Sequence, residues 1–302
     1  MSIPHQALAV SITGSVADAE LDVRAGGQQL VVRPTAYRAV LPEIVGEVTV
    51  GVRPVGAPRF GPGTVVHLTI AHDDPADVDP VQVLFDPIDV SGDSGVVVAA
   101  LRPHGSHVEV GVVAVADVPL SPLGSAARSS ARQIIGRAPA HHDGSLVMAM
   151  DASASMRPWF ADGSAAAATD IVVGVAAAAG IRNVSAVFVG AEITPVVADG
   201  SGAPGSDAAG LADAVRQARP RWSAGARWSR LTPGPGTIVC VDFPTTVVQQ
   251  GLPVITLSDD HRFDAVGARL PSPRPGHDAS AELLAHPQVL DRVTAALVRV
   301  LT

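Results

Sequence analysis

The fold of the second half of the chain is indicated by one stretch, Ser145-Leu-Val-Met-Ala-Met-Asp151-Ala-Ser153-Ala-Ser155-Met156. An apolar run of strand length ends at Asp151, and polar residues then alternate with alanine. Alternate side chains of an extended segment point the same way, so Asp151, Ser153 and Ser155 can converge. Ligands of open α/β sheets bind at the carboxyl ends of the strands, so the pattern predicts a ligand site. The alternative is that these residues only cap the following helix.

Apolar strands alternate with helical segments from this stretch to the end of the chain. The pattern predicts strands over 146–150, 184–189, 193–197, 237–241 and 253–257, and helices over 164–179, 207–218 and 279–301. Such alternation favours a mostly parallel sheet covered by helices on both faces.

Asp151-Ala-Ser153-Ala-Ser155 resembles the Asp-x-Ser-x-Ser start of the metal-ion-dependent adhesion site (MIDAS) of von Willebrand factor A domains, and the resemblance covers about residues 144–302. It implies a doubly wound, Rossmann-like α/β domain. It also implies a divalent cation, Mg²⁺ or otherwise Mn²⁺ or Ca²⁺, through which family members bind an Asp or Glu of a protein partner. One carboxylate and two hydroxyls are oxygen ligands that suit Mg²⁺.

The resemblance implies two further metal ligands. Asp242, in Ile238-Val-Cys-Val-Asp242-Phe243, matches an Asp that follows a later strand, although Val241 and Phe243 replace the Thr and Gly that flank it in the family. Asp242 could instead cap a turn. The family also has a Thr in the loop before a later helix, and this chain has none there. Its position falls near Ala209, and Ser206 or Ser201 could substitute.

The same loop contains Gly200-Ser-Gly202-Ala-Pro-Gly205, which matches a dinucleotide-binding pattern. The acidic residue expected about 20 residues later is missing, and Pro204 removes one amide from the phosphate cradle. We therefore expect no nucleotide site.

Arginine alternates with tryptophan in Arg219-Pro-Arg221-Trp222-Ser-Ala-Gly-Ala-Arg227-Trp228-Ser-Arg230. Arg and Trp are typical anchors of protein interfaces, so Arg221, Trp222, Arg227 and Trp228 are candidates for contact with a partner. The alternatives are tryptophans packed under a loop, which the sequence favours, and stacking on nucleic-acid bases, which the net charge of −8 makes the weakest of the three.

The first half reads as short alternating segments separated by turns. It predicts strands over 7–12, 20–24, 29–33, 47–53, 65–71, 81–85, 95–101 and 108–115, and so an all-β sandwich domain over residues 1–118. Residues 119–143, rich in Pro, Ser, Ala and Arg, predict a linker with a short helix around 126–135. The acidic run from His72 to Asp79 and the pair His141-His142 are expected to be solvated.

Composition excludes several functions. The chain has no lysine, so Walker A and Schiff-base chemistry are absent, and its single Cys240 forms no internal disulfide or cysteine-based metal site. No signal-peptide pattern, membrane-spanning run or hydrolase motif is visible, which predicts a soluble, cytoplasmic protein that is not an enzyme.

The expected function is a bacterial interaction module that binds an acidic partner residue; the resemblance suggests AAA+ ATPases or tellurite-resistance and stress systems as its setting. A metal-independent scaffold with a vestigial site and an unrecognised enzyme remain alternatives.

Overall fold

The chain divides into two compact units, Met1–Asp117 and Val118–Thr302. The computed structural model describes residues 1–74, 76, 80–114, 117–137, 142–197, 210–244, 247 and 249–301, with the backbone alone for residues 142, 143 and 300. In these ranges the first unit contains strands only, whereas the second combines one sheet with helices.

Two antiparallel sheets form the described part of the first unit. One has the order β1 (Ser2–Pro4), β11 (His107–Val112), β10 (Val96–His104), β6 (Val48–Pro54), β3 (Ala19–Ala25). The other has the order β4 (Val32–Thr35), β5 (Arg38–Leu41), β2 (Leu8–Gly14), β7 (Val65–His72), β8 (Gln82–Leu84), and β9 (Ile88–Asp89) also pairs with β7.

The two sheets share one apolar core. In β2, Leu8, Val10 and Ile12 are buried while the residues between them are half-buried, which is the period of two expected for a sheet with one covered face. Core residues come from both sheets, so the sheets pack face to face as the predicted sandwich. Each of the eight predicted strands overlaps an observed one.

One six-stranded sheet forms the centre of the described second unit. Its order is β14 (Ile193–Pro195), β13 (Ile181–Val189), β12 (His142–Asp151), β15 (Thr237–Val241), β16 (Val254–Leu257), β17 (Ala268–Leu270). The edge strand β14 is antiparallel and the other pairings are parallel. Counted from the start of the unit, the order is 3-2-1-4-5-6, which is found in doubly wound sheets.

Six α-helices of the described second unit contribute to the core on one face of this sheet. They are α1 (Pro122–Ile135), α2 (Arg157–Ala161), α3 (Ser164–Ala178), α4 (Leu211–Gln217), α5 (Ala279–Ala285) and α6 (Pro287–Leu301). The opposite face, with Ala149, Val239 and Val241, packs against Trp228 and Val247 instead. The six helices named above all lie on the first face, and the described cover of the opposite face includes Val247, which is itself helical.

The segment that was predicted to be a linker is part of the second unit. Ser121 caps the N-terminus of helix α1, and its hydroxyl accepts a hydrogen bond from the Gly124 amide at 2.9 Å. The Ser130 hydroxyl donates to the Asp291 carboxylate of α6 at 2.7 Å. Helix α1 also packs along α3, so the boundary between units lies at Asp117 and the helix is longer than predicted.

The predicted C-terminal helix over 279–301 is divided in two. Helix α5 ends at Ala285, and α6 begins at Pro287. Proline has no N–H and fits the first position of a helix rather than its interior, which explains the division.

In the part of the chain that the structure describes, no single helix has both the length and the apolar character to cross a membrane. One bent pair, Ala154–Ala161 with Ser164–Ala178 at 75°, meets the test of length and composition only when taken together.

Candidate functional site

Two carboxylates stand at the same edge of the central sheet. Asp151 is the last residue of β12, and Asp242 directly follows β15. These strands are parallel neighbours in which Met150 pairs with Cys240, so Asp242 follows the β15 residue that stands level with Asp151. The structure thus brings together, at the carboxyl ends of the strands, two acids that are 91 positions apart in the sequence.

The loop after β12 holds its polar groups close to one another. An Asp151 carboxylate oxygen accepts a hydrogen bond from the Ser153 amide at 2.6 Å, and the hydroxyl oxygens of Ser153 and Ser155 are 3.0 Å apart. Asp151 and Ser153 are each 7% exposed, whereas Ser155 is exposed. The carboxylate and both hydroxyls therefore form one cluster that is open to solvent at Ser155.

The electrostatics of this cluster disfavour negative charge. Burial raises the pKa of Asp151, and the negative charge of Asp242 raises it further. Hydrogen bonds from the hydroxyl and the amide of Ser153 oppose this rise in the Asp151 pKa. Burial also raises the pKa of the Cys240 thiol, with smaller contributions from the charges of both acids. A positive charge bound beside Asp151 and Asp242 would relieve their mutual repulsion.

The stretch before β15 braces the Asp151 loop, which the sequence did not predict. The Ser223 amide donates to the Ala152 carbonyl at 3.1 Å, and the Ala154 amide donates to the Ser223 carbonyl at 2.8 Å. Ser153 and Ser223 thereby form an isolated parallel bridge. A single bridge leaves no periodic pattern, so neither propensity nor spacing could have revealed it.

The four residues predicted to contact a partner have different environments. Trp228 is 7% exposed and packs in the core on the opposite sheet face described above, with Ala149 and Val239. It is therefore not available to a partner, and that part of the prediction is wrong. Trp222 is half-buried, with its ring edge-to-face on Phe160 at a centroid distance of 5.2 Å. Arg221 and Arg227 are exposed. Packing thus accounts for the tryptophans, as the favoured alternative expected.

The Arg157 guanidinium lies 5.6 Å from the centroid of the Trp222 ring. This distance is within the range of a cation–π contact, so the half-buried tryptophan holds one arginine beside the Asp151 loop.

Several predicted residues lie outside the described residues. They are Ser206, its substitute Ser201, Ala209, the Gly200–Gly205 pattern and His141. In the acidic run, Asp77 and Asp79 also lie outside, while the described Asp73 pairs with Arg38 at 2.6 Å.

Among the described side chains, no group of three or more His, Cys, Asp or Glu is placed to hold a metal ion. The ligand set predicted from the sequence includes only two carboxylates, Asp151 and Asp242, and its other members are hydroxyls.

Comparisons with known proteins identify no relative from which a function could be inferred. No protein-family model matches this sequence, and no curated protein matches it.

Proposed function

We propose that the second unit is a von Willebrand factor A-like domain that binds a divalent cation at its sheet edge. Through this cation it captures an acidic residue of a protein partner. The proposed ligands are Asp151, Ser153, Ser155 and Asp242, with Ser206 as the predicted fifth. The setting is the predicted one, the cytoplasm of a bacterium, and the protein acts by binding rather than by catalysis.

The observation that carries the proposal is the placement of Asp242 beside the Asp151 loop. Either element alone has a structural explanation, because aspartate and serine commonly cap turns and helices. Here two carboxylates and two hydroxyls meet at one sheet edge. Burial and the charge of Asp242 raise the pKa of Asp151. A bound cation would balance the charge of these oxygen donors.

The arrangement of strands supports the assignment of the domain. In the order 3-2-1-4-5-6 the chain adds β13 and β14 on one side of β12 and then returns to add β15 on the other side, so the strand order reverses between β12 and β15. In open α/β sheets, ligands bind at such a point of reversal, outside the carboxyl ends of the strands. Asp151 and Asp242 follow the two strands that flank it.

The donor set fits a hard cation such as Mg²⁺. When bound, the cation would supply a Lewis-acidic centre for a partner's carboxylate. Asp151 and Asp242 would balance part of its charge, while the Ser153 and Ser155 hydroxyls would add neutral oxygens. A ligand set with few anions keeps the cation electrophilic, so an acidic side chain of the partner could complete its coordination.

The test is calorimetric titration of the full chain with Mg²⁺ and with Mn²⁺. We expect heat of binding in the wild type and its loss in Asp151→Asn and in Asp242→Asn. Asn keeps the size and one acceptor oxygen, so Asp151→Asn can still accept the bond from the Ser153 amide. Asp86→Asn, which changes an exposed carboxylate of the first unit, is the matched control and should titrate like the wild type.

Absence of heat in the wild type would contradict the metal site and favour the metal-independent scaffold. Heat that persists in both Asn variants would place the cation elsewhere in the chain.

A further inference from the structure

A large aromatic side chain is exposed next to the proposed metal site. Phe243 immediately follows Asp242 and is 65% exposed. Its ring packs edge-to-face on Phe263, with centroids 5.6 Å apart and planes at 88°. Aromatic side chains are enriched in protein interfaces, so an exposed aromatic contact beside the proposed site is a candidate interaction surface. We call Phe243 and Phe263 the aromatic pair.

The aromatic pair stands on a braced segment. Phe263 belongs to a 3₁₀ helix, His261–Ala265, in the connection between β16 and β17. The Asp260 carboxylate caps this helix by accepting from the Arg262 amide at 3.0 Å. The buried Arg269 guanidinium holds Asp264 at 2.7 Å. A surface that is already ordered loses little conformational entropy on binding, which favours a docking role.

Positive charge lies on the other side of the Asp151 loop. Arg157, Arg221 and Arg227 are exposed, and none of the ion pairs among the described residues includes them. The Arg227 amide donates to the carbonyl of Gly190, the residue after β13, which places this arginine at the same sheet edge. We call these three residues the arginine group.

The strand order arranges these features in a row. The arginine group lies beside the ends of β13 and β12, the two carboxylates follow β12 and β15, and Phe263 follows β16. The edge thus offers positive charge, a proposed cation and an aromatic surface in sequence. This charge pattern is complementary to an acidic partner and repels a basic one.

We propose that the aromatic pair is an apolar subsite of the metal site. It takes a nonpolar side chain next to the captured carboxylate, and the arginine group takes further acidic residues on the opposite side. The partner is therefore a protein segment in which Glu or Asp stands beside a residue such as Leu, within an acidic stretch. This inference rests on the proposed cation site and adds to it the choice of partner.

The test uses three biotinylated peptides immobilised for biolayer interferometry, with the full chain in solution at saturating Mg²⁺. The central residues are Leu-Glu-Leu, Ser-Glu-Ser and Leu-Gln-Leu in an otherwise identical Gly/Ser background. We expect the wild type to bind Leu-Glu-Leu about fivefold more tightly than Ser-Glu-Ser, the effect of one partly buried apolar side chain. Leu-Gln-Leu should lose binding because it lacks the carboxylate.

The decisive variant is Phe243→Ser, which should bind Leu-Glu-Leu and Ser-Glu-Ser equally while keeping the preference for Glu over Gln. Phe243 is exposed, so this change should leave the tryptophan fluorescence of the fold as it is. Leu284→Ser, at a 41% exposed apolar residue of α5, is the matched control and should keep the wild-type preference.

The outcomes separate this inference from the proposed metal site. Equal binding of the two Glu peptides by the wild type, or an apolar preference that survives Phe243→Ser, would overturn the subsite and leave the cation site standing. Detectable Mg²⁺ heat with no binding of any peptide would also overturn the subsite. Absence of Mg²⁺ heat in the calorimetric titration would overturn the metal site itself.

For the arginine group, Arg221→Gln combined with Arg227→Gln should weaken binding of a Leu-Glu-Leu peptide with an added acidic tail and leave the untailed peptide unchanged.

Discussion

The close crossing of α1 and α3 depends on a glycine in the interior of a helix. A Cβ atom at position 174 would lie 2.8 Å from the Ala127 Cβ and 3.0 Å from the Arg128 amide nitrogen, and it would overlap the Gly124 carbonyl oxygen. Two of these three atoms belong to the backbone of α1, which cannot rotate away. We therefore expect Gly174→Ala to push the two helices apart.

The magnitude of this effect follows from two opposing contributions. Overpacking of a filled core costs about 1–3 kcal/mol, and backbone contacts belong at the upper end of that range. Replacing glycine by alanine inside a helix returns about 1 kcal/mol. The net loss in the free energy of unfolding should be about 2 kcal/mol. For a unit of this size that corresponds to a melting temperature lower by roughly 4–8 °C.

Urea unfolding followed by tryptophan fluorescence reports on the second unit, which contains α1 and α3. The three tryptophans, Trp159, Trp222 and Trp228, all lie after the boundary at Asp117. Gly124→Ala is the matched control, because its nearest contacts would be 3.3 Å away and its net change should stay within about 1 kcal/mol. A Gly174→Ala protein that is as stable as the wild type would refute the close crossing.

Three further changes test other parts of the second unit. Burial raises the pKa of Asp170 above its ordinary value of 3.8, so the folded state binds the proton more tightly and ionisation costs stability as the pH rises. Asp170→Asn, which can still accept the bond from Ser121, should therefore melt higher than the wild type at neutral pH and lose this advantage in thermal melts as the pH falls towards the ordinary pKa of an aspartate. Trp228→Ala removes a buried aromatic and should lower the free energy of unfolding by about 3–5 kcal/mol in urea, whereas a surface role would leave it unchanged. Asp278→Ala removes the cap that accepts from the Ser280 amide at 2.9 Å and should cost about 1 kcal/mol, while Asp278→Asn should keep most of the cap.

Strand length explains only part of what the sequence predicted, because β4, β8 and β14, with four, three and three residues, were predicted as well. In the first unit, each predicted strand overlaps an observed one, whereas β1, β5 and β9 have only three, four and two residues and were missed. In the second unit, β17 was missed because its central residue is a buried arginine. The burial of Arg269 is tolerated because it forms an ion pair with Asp264. Such a tertiary contact leaves no trace in the hydrophobic periodicity of the sequence.

The polar composition of α1 concealed its role. Ser129, Ser130 and Arg132 are buried, although their residue types are those of a solvated linker. The bond from Ser130 to Asp291 joins positions 161 residues apart, so only the folded chain shows why a serine faces the interior. Hydrophobic patterning finds helices whose buried face is apolar and misses those whose buried face is partly satisfied by distant polar groups.

The candidate site was predicted in its parts. Asp151, Ser153 and Ser155 could be found because a strand and a pattern of alternate residues precede the helix, and Asp242 because it ends a later apolar strand. Their meeting at one edge depends on β12 and β15 being parallel neighbours, which strand order alone decides. Ser223 could not be found, because its place beside Ser153 depends on the path of a loop.

Phe243 stands where the von Willebrand factor A pattern would have a glycine, and its effect is on the surface rather than on the backbone. Glycine is required where φ is positive, and among the described residues no side-chain-bearing residue has a positive φ. Phe243 therefore adopts its backbone conformation without strain, and its ring is free to project from the sheet edge onto Phe263. An exposed phenyl group in this position adds nothing to the core of the unit. Its physical consequence is an apolar surface next to Asp242, and this surface is what the proposed subsite would use to choose a partner.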